Sequence, residues 1–530
     1  MRPHHKVAQT ASKETMYLTQ SLHRAVQQRP DSIATVFGDR VRTVAESHNR
    51  IARFADALRN LGVRQGDRVA ILALNSDRYH EYFFAVPWLG AVVNPVNIRW
   101  SPAEVVYSLR DSDTRVLLVD DAFAQAIGPI LAEFPQLRTV IFIGDGALPA
   151  GTLDYETLIA QSEPVEDVRV GGDELLGVFY TGGTTGFPKG VMLSHANVVT
   201  SALGSLATNH VISIGGRLLH AAPMFHLADF AVWGCGNVAG STHVIVPMFT
   251  PAGVLRAISE HRVTDGLLVP TMIQMLVDDP AAADVDLSSV EHLVYGASPI
   301  SESVLAKARK TFPAAGFTQA YGMTELSPIA TLLSPADHDD PVLAKTTGRA
   351  APHVEVRIVD ADDNEVPRGT VGEVVVKGAN VMLGYWNKPE ATAEAIRDGW
   401  MHTGDGGRMD DNGYISVVDR LKDMIITGGE NVYSIEVENA LAKHPAVATC
   451  AVIGIPDDQW GERVHAVVVL LPDRQATPDE LTIHCKQLIA NYKIPRSIEF
   501  ADALPMSGAG KILKRDLRGR YWDSDGSQVS

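Results

Sequence analysis

Apolar runs of strand length recur through the first 300 residues, at 68–74, 116–119, 140–143 and 267–269, and helix-like segments fill the spaces between them. Residues 51–61 show the helical period, with Ile51, Phe54, Ala55, Leu58 and Leu61 close to one face. This alternation predicts α/β layers with largely parallel strands, because a parallel pair needs a crossover long enough to hold a helix. At 530 residues the chain exceeds what one core can serve, so a large layered body plus at least one smaller unit is expected. Its 45% hydrophobic and 21% charged residues are the composition of an ordinary globular protein.

Past Val354 the texture changes. VEVRIVDADDNEVPRGTVGEVVVKG (354–378) sets β-rich runs around turn residues and predicts a hairpin-rich β subdomain. Beyond the charged stretch 419–423, strand signals at 448–454 and 465–471 and helical signals at 434–443 and 478–490 predict a compact α+β unit of roughly 110 residues. The boundary is placed at Arg420–Lys422, giving units 1–419 and 423–530 joined by residues 420–422.

A net charge of −17 argues against broad attraction to nucleic acid or anionic lipid, so a bound polyanion has to be held by a local pocket. The three cysteines, Cys235, Cys450 and Cys485, have neither metal-ligand spacing nor an even disulfide framework, and a reducing cytoplasm is the expected compartment. Residues 1–17 are polar, lack a signal-peptide core and read as a loose arm. The apolar stretch 83–96 is broken by Pro87, Gly90, Asn94 and Pro95, well short of a membrane span.

The strongest motif is YTGGTTGFPKG (180–190), a loop between two apolar runs. Gly182, Gly183 and Gly186 let backbone approach a ligand closely, Thr181, Thr184 and Thr185 add hydroxyls, and Lys189 adds a cation, which together suit phosphate oxygens. It is not a Walker A loop, since Phe187 and Pro188 separate Gly186 from Lys189 and Gly190 follows.

This loop resembles the phosphate-binding signature of the adenylate-forming superfamily of acyl-CoA synthetases, luciferases and peptide-synthetase adenylation domains. The resemblance covers nearly the whole chain. APMFH (222–226), YGAS (295–298), QAYGMTE (319–325), TGD (403–405), DRLKDMIITGGENVY (419–433) and GAGKILK (508–514) follow in the family's order. It implies two α/β layered subdomains and a small β-barrel-like subdomain in the body, with a mobile α+β C-terminal domain. It also implies adenylation of a carboxylate by MgATP, then transfer of the acyl group to coenzyme A. Medium- or long-chain fatty acids and related apolar acids are the expected substrates, with aryl and short branched acids open and an acyl carrier protein as the alternative acceptor.

Site residues follow from the same resemblance. Gly296, Ala297, Ser298, Tyr321 and Gly322 would line adenine, and Asp405 and Arg420 would hold ribose, where a carboxylate can accept from both hydroxyls. Glu325, beside Thr324, is the expected Mg²⁺ ligand, a single carboxylate being what a phosphate-borne ion needs. Lys511, Thr324 and His226 are the catalytic candidates, Lys511 as the point charge against the α-phosphate. Lys422 matches the hinge, and Gly428 and Gly429 would admit the pantetheine arm of CoA. His226, Phe230, Trp233 and Tyr295 are the acyl-pocket candidates; Asp229 reads as an ordinary solvated or capping carboxylate, with a place facing a substrate's polar end as the alternative. The chain departs from the family at PMSGAGK (505–511), which lacks the usual Thr-rich segment, and at Gly182, where Ser is common. A homodimer is expected, and peripheral contact with a membrane is left open.

Overall fold

The computed structural model describes residues 16–181, 188–298, 300–457, 459–506 and 512–522. Two mostly parallel sheets form the body. In the nine-stranded sheet, the strands Arg217–His220, Thr242–Ile245, Asp265–Leu267, His292–Gly296 and Gly316–Gly322 run parallel, and antiparallel strands finish both edges. In the eight-stranded sheet, Arg68–Leu72 lies between Val92–Pro95 and Val116–Val119, and Leu175–Thr181 folds back antiparallel onto Lys189–Ser194.

The continuous apolar runs have a physical reason. Val69 and Ile71 face one core while Ala70 and Leu72 face another, so both sides of the strand are buried and the period of two is hidden. The same holds for Leu218 and Leu219 in the other sheet. One core joins the helices Val44–Asn60, Asp77–Trp88 and Leu227–Ala239, contributing Phe54, Phe83, Phe84, Phe230 and Trp233, to strand residues of the eight-stranded sheet and to Val374, Val376 and Met401 of the β subdomain. The helix Val44–Asn60 starts where Thr43 and Glu46 form a reciprocal capping box.

The β subdomain is a five-stranded antiparallel sheet in which Val354–Val359 pairs with Gly372–Gly378, the hairpin expected from the sequence; its pairing order runs as an open path. Its last strand, Ile415–Arg420, pairs with Trp400–Met409. The C-terminal residues build a separate sheet beginning at Ile425–Thr427 and packed by Ser434–Leu441 and Pro478–Lys486 around its own core. The stretch 83–96 becomes the end of a buried helix and the strand Val92–Pro95, and no helix among the described residues is long and apolar enough to cross a membrane.

Two histidines are built into the body as buried acceptors. His80 Nδ1 accepts from Trp233 Nε1–H at 3.0 Å, and His195 Nδ1 accepts from the Leu18 amide at 3.2 Å. Burial pushes His80 down to about 3 and His195 to about 4. Because both folded values lie below the ordinary one, the unfolded chain takes up protons first. Stability is therefore complete above pH 6.5 and falls as pH drops towards 4, by roughly 1 kcal/mol per imidazole at pH 5.5. Thermal melts between pH 7.5 and 5 should show a steadily falling midpoint; a flat profile would contradict neutral burial of these rings.

Candidate active site

The parallel partners His292–Gly296 and Gly316–Gly322 end side by side, and strand ends are the usual place for ligands in open α/β sheets. Tyr321 sits near the end of the last. Across the opening, antiparallel register sets Asp405 opposite Arg420. Arg420 Nε lies 2.7 Å from Asp405 Oδ1, and the Tyr321 hydroxyl donates to Asp405 Oδ2 at 2.7 Å. Burial first, then the adjoining carboxylate, raises the Tyr321 phenol well above its ordinary range, so it remains a donor. Asp405 has lone pairs beyond these two contacts and can accept from hydroxyls of a sugar as well.

Glu325 lies on the 3₁₀ turn Thr324–Leu326, directly after that strand, and is 7% exposed. Its Oε1 accepts from the Tyr385 hydroxyl at 2.8 Å, and Lys189 Nζ stands 4.9 Å from the centre of the Tyr385 ring. Burial and then Glu325 hold the Tyr385 phenol protonated. Tyr385 thus ties the expected metal ligand to the far side of the phosphate loop, where Thr181 and Lys189 are direct cross-strand partners. Sequence reasoning missed Tyr385; the GYW run at 384–386 was the available signal. Among the described residues, no three His, Cys, Asp or Glu side chains cluster to cage a metal. One buried carboxylate beside a hydroxyl nevertheless fits a hard cation that brings most of its oxygens with it.

Gly296 closes its strand, Ala297 takes a left-handed φ of 65°, and Ser298 follows. Gly322 has no room for a side chain, since a Cβ there would fall 1.8 Å from the Pro328 carbonyl oxygen. Lys422 lies on the short turn Leu421–Asp423 between two sheets. Gly428 and Gly429 form the two-residue hairpin turn with φ of 60° and 84°, which accounts for both glycines without a ligand. Gly182, Gly183, Thr184, Thr185, Gly186 and Lys511 lie outside the described residues.

Of the aromatic acyl-pocket candidates, Tyr295 stands apart from Phe230 and Trp233. His226 caps the helix Leu227–Ala239, its Nδ1 accepting from the Ala228 amide at 3.2 Å. Phe230 and Trp233 stack on each other at 5.4 Å and are 0% exposed, whereas Tyr295 belongs to a different core, with its hydroxyl 2.8 Å from His338 Nε2. The three serve packing, as aromatics at helical spacing usually do. On the other side of the helix, Ala228 and Val232 pack with Val294 and Ala320.

Asp229 is not solvated. It is 0% exposed and its Oδ2 lies 2.7 Å from His220 Nδ1. The chain continues from His220 Nε2 to His243 Nδ1 at 2.8 Å and from His243 Nε2 to Asn237 Oδ1 at 3.2 Å. Asn237 Nδ2 donates to the Trp233 carbonyl, so Oδ1 must accept from His243 Nε2–H. Burial keeps His243 neutral, leaving its Nδ1 to accept from His220 Nε2–H. One proton therefore bridges His220 and Asp229. Asp229→Asn, whose amide supplies that donor, should melt within about 1 kcal/mol of the parent, whereas Asp229→Ala should lose about 2–4 kcal/mol.

The comparisons with known proteins fall in line with this geometry. Residues 22–386 match the AMP-binding enzyme family, and residues 436–511 match the AMP-binding enzyme C-terminal domain. The chain belongs to the adenylate-forming acyl-CoA synthetase and ligase family. It is 40% identical over 499 residues to a feruloyl-CoA synthase of Amycolatopsis sp, covering 94% of this chain and 98% of that one. It is 36% identical over 526 residues to the fatty acid–[acyl-carrier-protein] ligase ScoC of Streptomyces coeruleorubidus, covering 98% of both. The solved anthranilate CoA ligase AuaEII, bound to anthranoyl-AMP, superposes with a TM-score of 0.88 at 27% identity over 96% of this chain and 98% of that one.

Asp405→Ala should raise the KM for ATP about tenfold or more, since it leaves Tyr321 and Arg420 without their shared acceptor. An unchanged KM for ATP would remove Asp405 from the nucleotide site.

Proposed function

We propose that this enzyme is an ATP-dependent carboxylic acid–CoA ligase acting on an apolar acid. The observation that carries the reading is the Tyr321–Asp405–Arg420 cluster beside Glu325 and Lys189, which offers a sugar acceptor and a phosphate-side carboxylate within one opening. A carboxylate oxygen of the acid attacks the α-phosphorus of ATP, the bond to pyrophosphate breaks, and an acyl-adenylate forms. Lys511 offsets the charge gathering on the α-phosphate, and Thr181, Lys189 and the loop between them hold the departing pyrophosphate. Glu325 would hold the Mg²⁺, with Thr324 beside it; the ion, when bound, neutralises charge on the phosphates.

In the second half-reaction the CoA sulfur attacks the acyl carbon, the acyl–phosphate bond breaks, and AMP leaves. The thiol has to reach the region Lys511 occupied, so the unit 423–530 turns about residues 420–422 and brings Gly428 and Gly429 towards the site. A medium- or long-chain fatty acid is the first substrate reading, supported by likeness to ScoC; an aryl acid is the second, supported by the feruloyl-CoA synthase. ScoC also supports a carrier protein as alternative acceptor.

The test is pyrophosphate release with MgATP and CoA across acetate, medium- and long-chain fatty acids, ferulate, benzoate and amino acids. One apolar class should exceed acetate and the amino acids by about tenfold or more. Pyrophosphate exchange without thioester formation would point to a carrier protein, and silence with every acid would reject the reading. Lys511→Ala should lose adenylation yet form thioester from supplied acyl-adenylate; equal loss of both would reject the assignment of Lys511.

A further inference from the structure

A buried polar chain crosses the junction between the body and the C-terminal sheet. Asp419 belongs to the body, in register with Gly406 on the neighbouring strand, and is 2% exposed. Its Oδ1 accepts from the Arg420 amide at 2.8 Å. Its Oδ2 accepts from both the backbone N–H and the hydroxyl of Ser434, the hydroxyl at 2.6 Å. Ser434 opens the first helix of the C-terminal unit and is 0% exposed. Having given its single proton to Asp419, the Ser434 hydroxyl accepts from Lys514 Nζ. Lys514 is paired at 2.7 Å with Glu438 Oε1, which also takes the Val452 amide at 2.8 Å. Within the C-terminal unit, Arg518 pairs with Asp423 at 2.8 Å, just past the joint.

The ammonium of Lys514 is thus balanced by two carboxylates, Glu438 on its own side and, through one hydroxyl, Asp419 on the other. Asp419 is adjacent in the chain to Arg420, which binds Asp405, and Lys514 follows Lys511 by three residues. We infer that Asp419, Ser434 and Lys514 are positioning residues. They latch the C-terminal unit to the nucleotide site in the orientation seen here, and that orientation serves adenylation. The inference rests on the ligase reading above. A turn about residues 420–422 carries Ser434 and Lys514 but leaves Asp419 behind, so the latch opens when the second half-reaction begins. A charge-assisted contact through one hydroxyl and one amide is strong enough to bias the orientation and small enough to break on each cycle.

The test measures the two half-reactions separately, with the acid that the wild-type enzyme turns over fastest. Lys514→Met should lower ATP–pyrophosphate exchange at least tenfold while thioester formation from supplied acyl-adenylate and CoA stays within twofold of wild type. Lys514→Arg should restore most of the exchange. Asp419→Asn, which keeps the shape and removes the charge, should lower exchange severalfold with the second half-reaction intact, and the double variant should be no worse than Lys514→Met alone. Equal loss of both half-reactions in the soluble Asp419→Asn protein, or no loss in either, would overturn the latch. Wild-type exchange is the separate control: its absence with every acid would overturn the ligase reading itself.

Discussion

The Asp405 carboxylate is the contact on which the site depends. It takes the Arg420 guanidinium across two antiparallel strands and the Tyr321 hydroxyl from the end of a parallel strand in another sheet. One acidic group therefore ties the β subdomain to the nine-stranded sheet at the place where the chain leaves for its C-terminal unit. A carboxylate suits this role because it accepts from several donors at once, holding two in the protein with lone pairs left for a ligand. Tyr385 repeats the device between Glu325 and Lys189, joining the strand that carries Tyr321 to the hairpin that carries the phosphate loop.

Around these contacts the body is rigid for a simple reason. Its central strands are buried on both faces, and one aromatic core passes beneath the helices, the eight-stranded sheet and the β subdomain. One set of buried polar groups beside that core is paired in a chain, Asp229–His220–His243–Asn237. The C-terminal unit has its own core and meets the body through a polar link between Asp419 and Ser434. Apolar packing within each part with polar contact between them is the pattern expected of units that move as wholes, since polar links exchange readily with water.

The architecture was legible because its signals are local. Apolar runs bounded by turn residues became strands, Ile51, Phe54, Ala55 and Leu58 became the buried face of a helix, and residues 354–378 became a hairpin. Asp405, Arg420, Tyr321 and Glu325 could be named as candidates for another reason: each stands in a motif of the family the chain resembles. The aromatic residues were less legible. Phe230, Trp233 and Tyr295 look like a pocket in the sequence, but Tyr295 belongs to one core and the other two to another. Asp229 misled in the opposite direction, because a carboxylate three residues into a helix reads as a solvent-facing cap unless its histidine partner is known.

The sequence by itself determined the layers, the order of its motifs and the sign of the charge, since propensity, periodicity and residue chemistry act within short stretches of chain. Only the tertiary structure decided which groups meet. The Glu325–Tyr385 contact spans 60 residues and the Lys514–Ser434 contact spans 80. A hydrogen bond needs its partners within about 3 Å. Pairs so distant in sequence reach that separation only after strand register and helix packing have fixed every intervening element, which short-range patterns do not encode.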